Sequence, residues 1–384
     1  MYLRWAGYNA AALPFIRHEL TPSMSNSARA FLLGPLLKGV SRSFYLTLRV
    51  LPADMRDPIG LGYLLGRAAD TIADTSLIDP AQRLALLLDL RAQINGASDD
   101  HGALARRLAG EIAAQQTQSD EKVLLESLEP ALQVLAQLGA SDREAVREVT
   151  TTLTAGMEFD LRTFPDERSG RLVALGELDE LDRYTYLVAG CVGEFWTKMT
   201  YAHAPGTLAG DPAEVIERGV RFGKALQMTN VLRDCAKDLR IGRCYLPAAM
   251  LRRDGLAPED LLSAGASARA RPLMFELVRV ALAHYRAAME YTFAISACSV
   301  RLRLACLWPI FIGLETLLLL VDNDDWLDAQ KILKVRRTQV YGIMARSMAS
   351  VASDRLLRRW AESIIHKIET RMSERARAVG EIQN

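Results

Sequence analysis

The chain has 384 residues, of which 50% are hydrophobic and 24% charged, and Lys+Arg 47 against Asp+Glu 46 leaves a net charge of +1. So small a net charge gives no overall electrostatic footprint for a nucleic-acid partner, and so apolar a chain is not a disordered one. Five cysteines with no CxxC pair make neither a disulfide framework nor a zinc site.

In chain order, the opening MYLRWAGYNAAALPFIRHEL does not read as a signal peptide, because Pro14, Arg17 and His18 break its apolar run. No linker, repeat or low-complexity tract follows. Almost every segment carries a helical apolar period, such as Leu84, Leu87, Leu88 and Ile94, or Leu124, Leu125, Leu128, Leu132 and Leu135, with Pro130 marking a kink or a fresh helix start. Strand-like alternation is nearly absent. Helices of about 15 to 25 residues account for the chain, punctuated by Pro52, Pro58, Pro80, Pro165, Pro205, Pro212, Pro247, Pro258 and Pro272. The expectation is a single all-α domain over 1–384, with 1–30 and 350–384 as terminal segments. Helices packed around a centre can leave an apolar cavity where polar groups converge.

An aspartate pair occurs twice. In GYLLGRAADTIADT, Gly62 to Thr75, Asp70 and Asp74 are four apart and share a helix face with Tyr63 and Arg67. Two like charges at that spacing destabilise an isolated helix by about 0.2–0.5 kcal/mol, so something must compensate. In GKALQMTNVLRDCAKDLRIGRCYLP, Gly223 to Pro247, Asp234 and Asp238 repeat the spacing. Gln227 and Asn230 extend their stripe, Arg233 and Lys237 flank it, and Arg243 sits just beyond. One such pair is ordinary on a solvated face. Two, each on an apolar helix with arginine beside it, fit Mg²⁺, which takes a carboxylate or two and completes its shell with water and phosphate oxygens. The arginines add forked donors for phosphate. Diphosphate held this way becomes a leaving group, and an apolar, aromatic cavity would shelter the resulting carbocation.

The stretch Leu304 to Val321 approaches the length of a membrane span but holds Glu315, so it reads as a buried core helix. The cysteines Cys191, Cys235, Cys244, Cys298 and Cys306 read as small buried hydrophobes in a reducing, cytoplasmic compartment. Near the C-terminus, Leu357, Trp360, Ile364, Ile365, Ile368 and Met372 form an apolar stripe beside Arg355, Arg358 and Arg359. It either docks on the core or lies on a membrane surface.

Four blocks resemble the squalene and phytoene synthases: SRSF (Ser41 to Phe44), Tyr63 and Arg67 with DTIAD (Asp70 to Asp74), YTYLVAGCVGEFW (Tyr184 to Trp196), and QMTNVLRDCAKDLRIGRCYLP (Gln227 to Pro247). A fifth segment, Trp308 to Val340, looks like the C-terminal part of squalene synthases, with Lys334, Val335, Arg336 and Arg337 where those carry a basic stretch associated with NADPH. The resemblance implies a class I isoprenoid synthase bundle around a central cavity. It implies condensation of two farnesyl diphosphates to presqualene diphosphate and NADPH-dependent reduction to squalene. Asp70, Asp74, Asp234 and Asp238, with Asn230, would hold Mg²⁺. Ser41, Arg42, Arg67, Arg233, Arg243 and Gln227 would bind diphosphate. Tyr184 would assist proton removal and Tyr63 would steady the cationic site. Asn230, Lys334, Arg336 and Arg337 would meet the cofactor. The protein is expected to be a monomer with peripheral membrane contact and no nucleic-acid partner. The alternatives are a non-reductive synthase giving dehydrosqualene or phytoene, and a helical binding protein without chemistry. Lys237 departs from the family, where Glu is frequent, and so do Ala73 and Thr75, where squalene synthases are often acidic, and Leu187, where Tyr is frequent.

Overall fold

The computed structural model describes residues 22–41, 44–97, 101–113, 119–331 and 333–382. Contacts divide the chain into two compact units, Met1–Arg49 with Ala53–Leu161, and Val50–Pro52 with Arg162–Asn384. The architecture is all-α, as the periodicity predicts.

In the first unit, α1 (Pro22–Phe31) runs through a π-helical turn into α2 (Leu37–Ser41). There follow α3 (Phe44–Arg49), α4 (Ala53–Asp74), α5 (Pro80–Ile94), α6 (His101–Leu108), α7 (Ser119–Glu126), α8 (Leu128–Gln137) and α9 (Ala140–Thr163). The start of α5 is set by Pro80 in its first position and by Asp79, whose carboxylate accepts from the amides of Ala81 (2.9 Å) and Gln82 (3.0 Å). Leu86, Leu87, Leu90 and Ile94 are its buried face, while Leu84 and Leu88 lie at the margin. Leu124, Leu125, Leu128, Leu132 and Leu135 are all buried. Pro130 sits in the first turn of α8, where a missing N–H costs nothing. Pro58 does not punctuate: it lies inside α4. That helix is buried around nearly its whole circumference, by Leu61, Leu64, Leu65, Ala68, Ala69 and Ile72, and packing outweighs the local break.

The second unit comprises β1 (Val173–Ala174), α10 (Leu178–Thr185), a π-helical turn (Tyr186–Gly190), α11 (Cys191–His203), α12 (Pro212–Arg240), β2 (Arg243–Cys244), α13 (Ala248–Arg253), α14 (Ala266–Arg269), α15 (Arg271–Ala294), α16 (Val300–Asp322), α17 (Arg337–Ser350) and α18 (Asp354–Ile382). The two short strands pair in parallel, Val173 opposite Arg243. Helix α12 starts at Pro212 behind an Asp211 cap and packs on α15, α11 and α16. Gly193 of α11 touches Gly219 of α12 so closely that a Cβ on Gly193 would stand 1.8 Å from the Gly219 carbonyl oxygen. A Cβ on Gly223 would stand 2.1 Å from the Ala189 oxygen. Glycine alone permits this approach of backbones.

Among the described residues α16 is long and apolar enough to cross a membrane, but 72% of its apolar window is buried inside the fold, as expected for a core helix. The C-terminal stripe also resolves: Leu357, Trp360, Ile364, Ile365, Ile368 and Met372 are all buried, with α18 lying on α15 and α16. Trp360 stacks on Phe311 with centroids 3.6 Å apart and an interplanar angle of 14°. All five cysteines are free thiols; four are buried, but Cys298 is exposed, because it falls in the turn before α16 rather than on a packed helix.

Candidate active site

The last two turns of α4 carry the first motif. Asp70 is buried, and Arg67, one turn earlier, donates to its Oδ2 at 2.5 Å. The other end of the guanidinium bonds Glu121 of α7. Burial works to lower the basicity of Arg67, but Asp70, Glu121 and Tyr63 more than reverse it and hold the group above its ordinary value. The Tyr63 hydroxyl donates to the Val40 carbonyl at 3.4 Å, one residue from the buried Ser41, whose own hydroxyl turns back to Leu37. Half-buried Asp74 ends the helix. The turn before it is pinned by Arg83, 1% exposed, which donates to the Ala73 carbonyl at 3.3 Å. Arg42 lies outside the described residues.

The second motif occupies the C-terminal half of α12. Gln227, Asn230 and Asp238 are buried and Asp234 half-buried, so the predicted stripe is one inward face, with Lys237 exposed off it. The Asn230 amide donates to Gln227 Oε1 at 3.3 Å. Arg233 grips Asp234 with two bonds, Nε to Oδ1 at 3.0 Å and a terminal nitrogen to Oδ2 at 2.6 Å. Past the helix, Gly242 has φ +83, and a Cβ there would meet the Arg171 oxygen at 2.4 Å. The chain then enters β2, which holds buried Arg243 against Glu167 at 3.2 Å. Tyr184, 1% exposed, stacks on Tyr245 (4.7 Å, 24°), their hydroxyls 3.3 Å apart, with Phe164 edge-on to Tyr245 at 5.0 Å.

The basic segment is of another kind. Lys334, Arg336 and Arg337 are exposed around buried Val335, and the Arg336 backbone amide donates to Gln339 Oε1 at 3.0 Å. A cavity of about 600 Å³ elsewhere in this unit is lined by Arg240, Arg271, Asp324 and Arg375. Its arginines are structural: Arg271 and Arg375 donate to the carbonyls of Asn323, Asp324 and Asp322 and so close the C-terminal end of α16.

Three of the arginines assigned to phosphate are thus held by carboxylates, two of which, Glu121 and Glu167, sequence reasoning missed. Neither lies in a motif; Glu121 sits in the first turn of a short amphipathic helix and Glu167 in a loop. Tyr245 was missed likewise, although it stands two residues past Arg243. Among the described residues no three His, Cys, Asp or Glu side chains converge to form a closed metal cage. What each motif offers is an i, i+4 carboxylate pair, which fits Mg²⁺ with a shell completed by water and phosphate.

A family model described as squalene/phytoene synthase matches residues 37–339. The bifunctional lycopene cyclase/phytoene synthase of Colletotrichum graminicola is 27% identical over 287 residues, which cover 73% of this chain and 46% of that protein. The squalene synthase of Solanum lycopersicum is 25% identical over 306 residues, covering 79% of this chain and 66% of its own length. This chain therefore spans from about half to about two thirds of these curated relatives. A solved complex of TcSQS with a ligand shares the fold at a TM-score of 0.70 and 20% identity, over 92% of this chain and 99% of that one. With its helices, its two aspartate motifs and a family match across most of its length, the chain belongs to the squalene/phytoene synthase family of prenyltransferases, of class I isoprenoid synthase fold.

Proposed function

We propose that the protein is a squalene synthase, which joins two farnesyl diphosphates head-to-head into presqualene diphosphate and then reduces that intermediate with NADPH to squalene. The observation that carries the proposal is the recurrence, on α4 and again on α12, of a carboxylate pair one turn apart with an arginine bound to it.

Bound Mg²⁺ supplies the Lewis acid that turns diphosphate into a leaving group, and NADPH supplies the hydride. Asp70, Asp74, Asp234 and Asp238, with Asn230, hold the metal. Arg67, Arg233 and Arg243 exchange their present carboxylate partners for diphosphate oxygens, assisted by Ser41, Arg42 and Gln227. Tyr184, paired through its hydroxyl with Tyr245, moves the proton lost as the new carbon–carbon bond forms. Tyr63 steadies the cationic centre with its ring. The exposed cations Lys334, Arg336 and Arg337, together with Asn230, meet the anionic cofactor. We place the protein in the cytoplasm, as a monomer.

A non-reductive synthase giving dehydrosqualene or phytoene is the second reading, favoured by the similarity to a protein with a phytoene synthase part. Incubation with farnesyl diphosphate and Mg²⁺, with and without NADPH, followed by mass spectrometry of the products, separates the two. Squalene formed only with NADPH supports the proposal. The same hydrocarbon in both tubes selects the second reading, and intact farnesyl diphosphate leaves a binding protein.

A further inference from the structure

The stripe on α18 that the sequence offered to a membrane is spent on the core. A different surface beside it is not. Helix α17 rests on the second unit through buried Ile343 and Ser347. Tyr341, Met344 and Met348, at steps of three and four, form a stripe well round from that face. Tyr341 is 67% exposed and Met348 55%, and Leu356 in the first turn of α18 is 51% exposed. With Leu262 they are the large apolar side chains more than half exposed among the described residues.

Charge gathers in the same stretch. Residues 331–359 hold eight Lys or Arg and one acidic residue, Asp354, in a chain whose net charge is +1. Several exposed arginines elsewhere in this unit are ion-paired, such as Arg253 with Glu276, Arg286 with Glu369 and Arg371 with Glu374. Arg346, Arg355 and Arg359 have no carboxylate partner among the described residues; the Arg346 guanidinium lies 4.3 Å over the Trp360 ring.

An outward apolar stripe rimmed by unpaired cations is the pattern of a helix that lies in the interface of an anionic bilayer. A nucleic acid would use the arginines but not the apolar stripe. We propose that the face formed by α17 and the first turn of α18 docks this protein on a membrane surface rich in anionic lipid, with Tyr341, Met348 and Leu356 entering the headgroup layer and Arg346, Arg355 and Arg359 meeting the lipid charges. The docking does not depend on the identity of the reaction product.

The test is flotation of the full chain with vesicles of phosphatidylcholine alone or with added phosphatidylglycerol, at low and high salt. The protein should float with the anionic vesicles, less so at high salt, and stay behind with the neutral ones. Arg355→Gln with Arg359→Gln should weaken partitioning about thirtyfold, and Tyr341→Ser with Met348→Ser about tenfold or more. All four side chains are exposed, so circular dichroism and the thermal midpoint should stay at the parent values. Absence of binding, equal binding to neutral vesicles, or binding that neither double variant moves would overturn the proposal. So would self-association of the parent chain that Tyr341→Ser with Met348→Ser abolishes, because the face would then belong to a second copy.

Discussion

Replacing Gly193 by alanine tests the backbone crossing that supports the second aspartate motif. The added methyl would stand 1.8 Å from the Gly219 oxygen and 2.5 Å from its carbonyl carbon. An unstrained contact is about 3.5 Å, so α11 and α12 must part by roughly 1.7 Å there, and no rotamer relieves main chain. Alanine gains about 1 kcal/mol in helix propensity. Overpacking ordinarily costs about 1–3 kcal/mol, and a rigid obstacle puts this case at or beyond the upper end. The net loss is about 2 kcal/mol, which lowers the melting temperature by about 4–8 °C for a unit of this size. Because α12 also carries Asp234 and Asp238, a shift of about 1 Å at the site should lower turnover roughly a hundredfold. Gly342→Ala is the control: this glycine lies on exposed α17 with nothing within 4 Å of the new methyl, so it should stabilise by about 0.5–1 kcal/mol. Thermal melts and product assays on the same preparations decide the matter. A Gly193→Ala protein as stable and as active as Gly342→Ala would refute the reasoning.

Asp70→Asn and Asp234→Asn should each lower turnover by about a hundredfold or more while the fold survives, and should weaken Mn²⁺ binding measured by electron paramagnetic resonance without substrate. Chelation of divalent metal should abolish product formation, and added Mg²⁺ should restore it. Burial, with Arg221 and Lys224 nearby, pushes His284 down to about 4 against the opposing pull of Asp182. The unfolded imidazole titrates near about 6.5, so between those values the unfolded chain binds more protons, and stability falls as pH drops from about 6.5 toward 4. His284→Gln should flatten that part of the urea-midpoint profile. Trp360→Ala removes the ring stacked on Phe311 and should cost about 3–5 kcal/mol, read by chemical denaturation, with earlier proteolysis in 354–382.

The helices and both aspartate motifs were legible because their signals are local. Periodicity locates an apolar face, and Pro80, Pro212, Pro258 and Pro272 open helices by geometry that depends only on neighbouring residues. Pro58 misled because burial of α4 on nearly every side overrides that preference. Glu121 and Glu167 were illegible because each is chosen by where a distant segment comes to rest. The crossing glycines lie between these cases. Gly219 and Gly223 are visible as small residues four apart on α12, but what meets them is set by packing. Cys298 shows the converse, since a residue type that is usually buried says nothing about a position in a turn.

The two-residue bridge between β1 and β2 has a consequence for how sequences of this kind can drift. Main-chain bonds, Val173 N to the Gly242 oxygen and Leu175 N to the Cys244 oxygen, both 3.0 Å, hold Arg243 beside Glu167. Such bonds do not read side chains, so the residue types at half-buried 173 and 174 are free to vary without moving Arg243, whereas Leu175 is held by the core. A one-residue deletion there would slide the register and carry Arg243 out of place. These two positions should therefore tolerate substitution, and the stretch should resist changes of length.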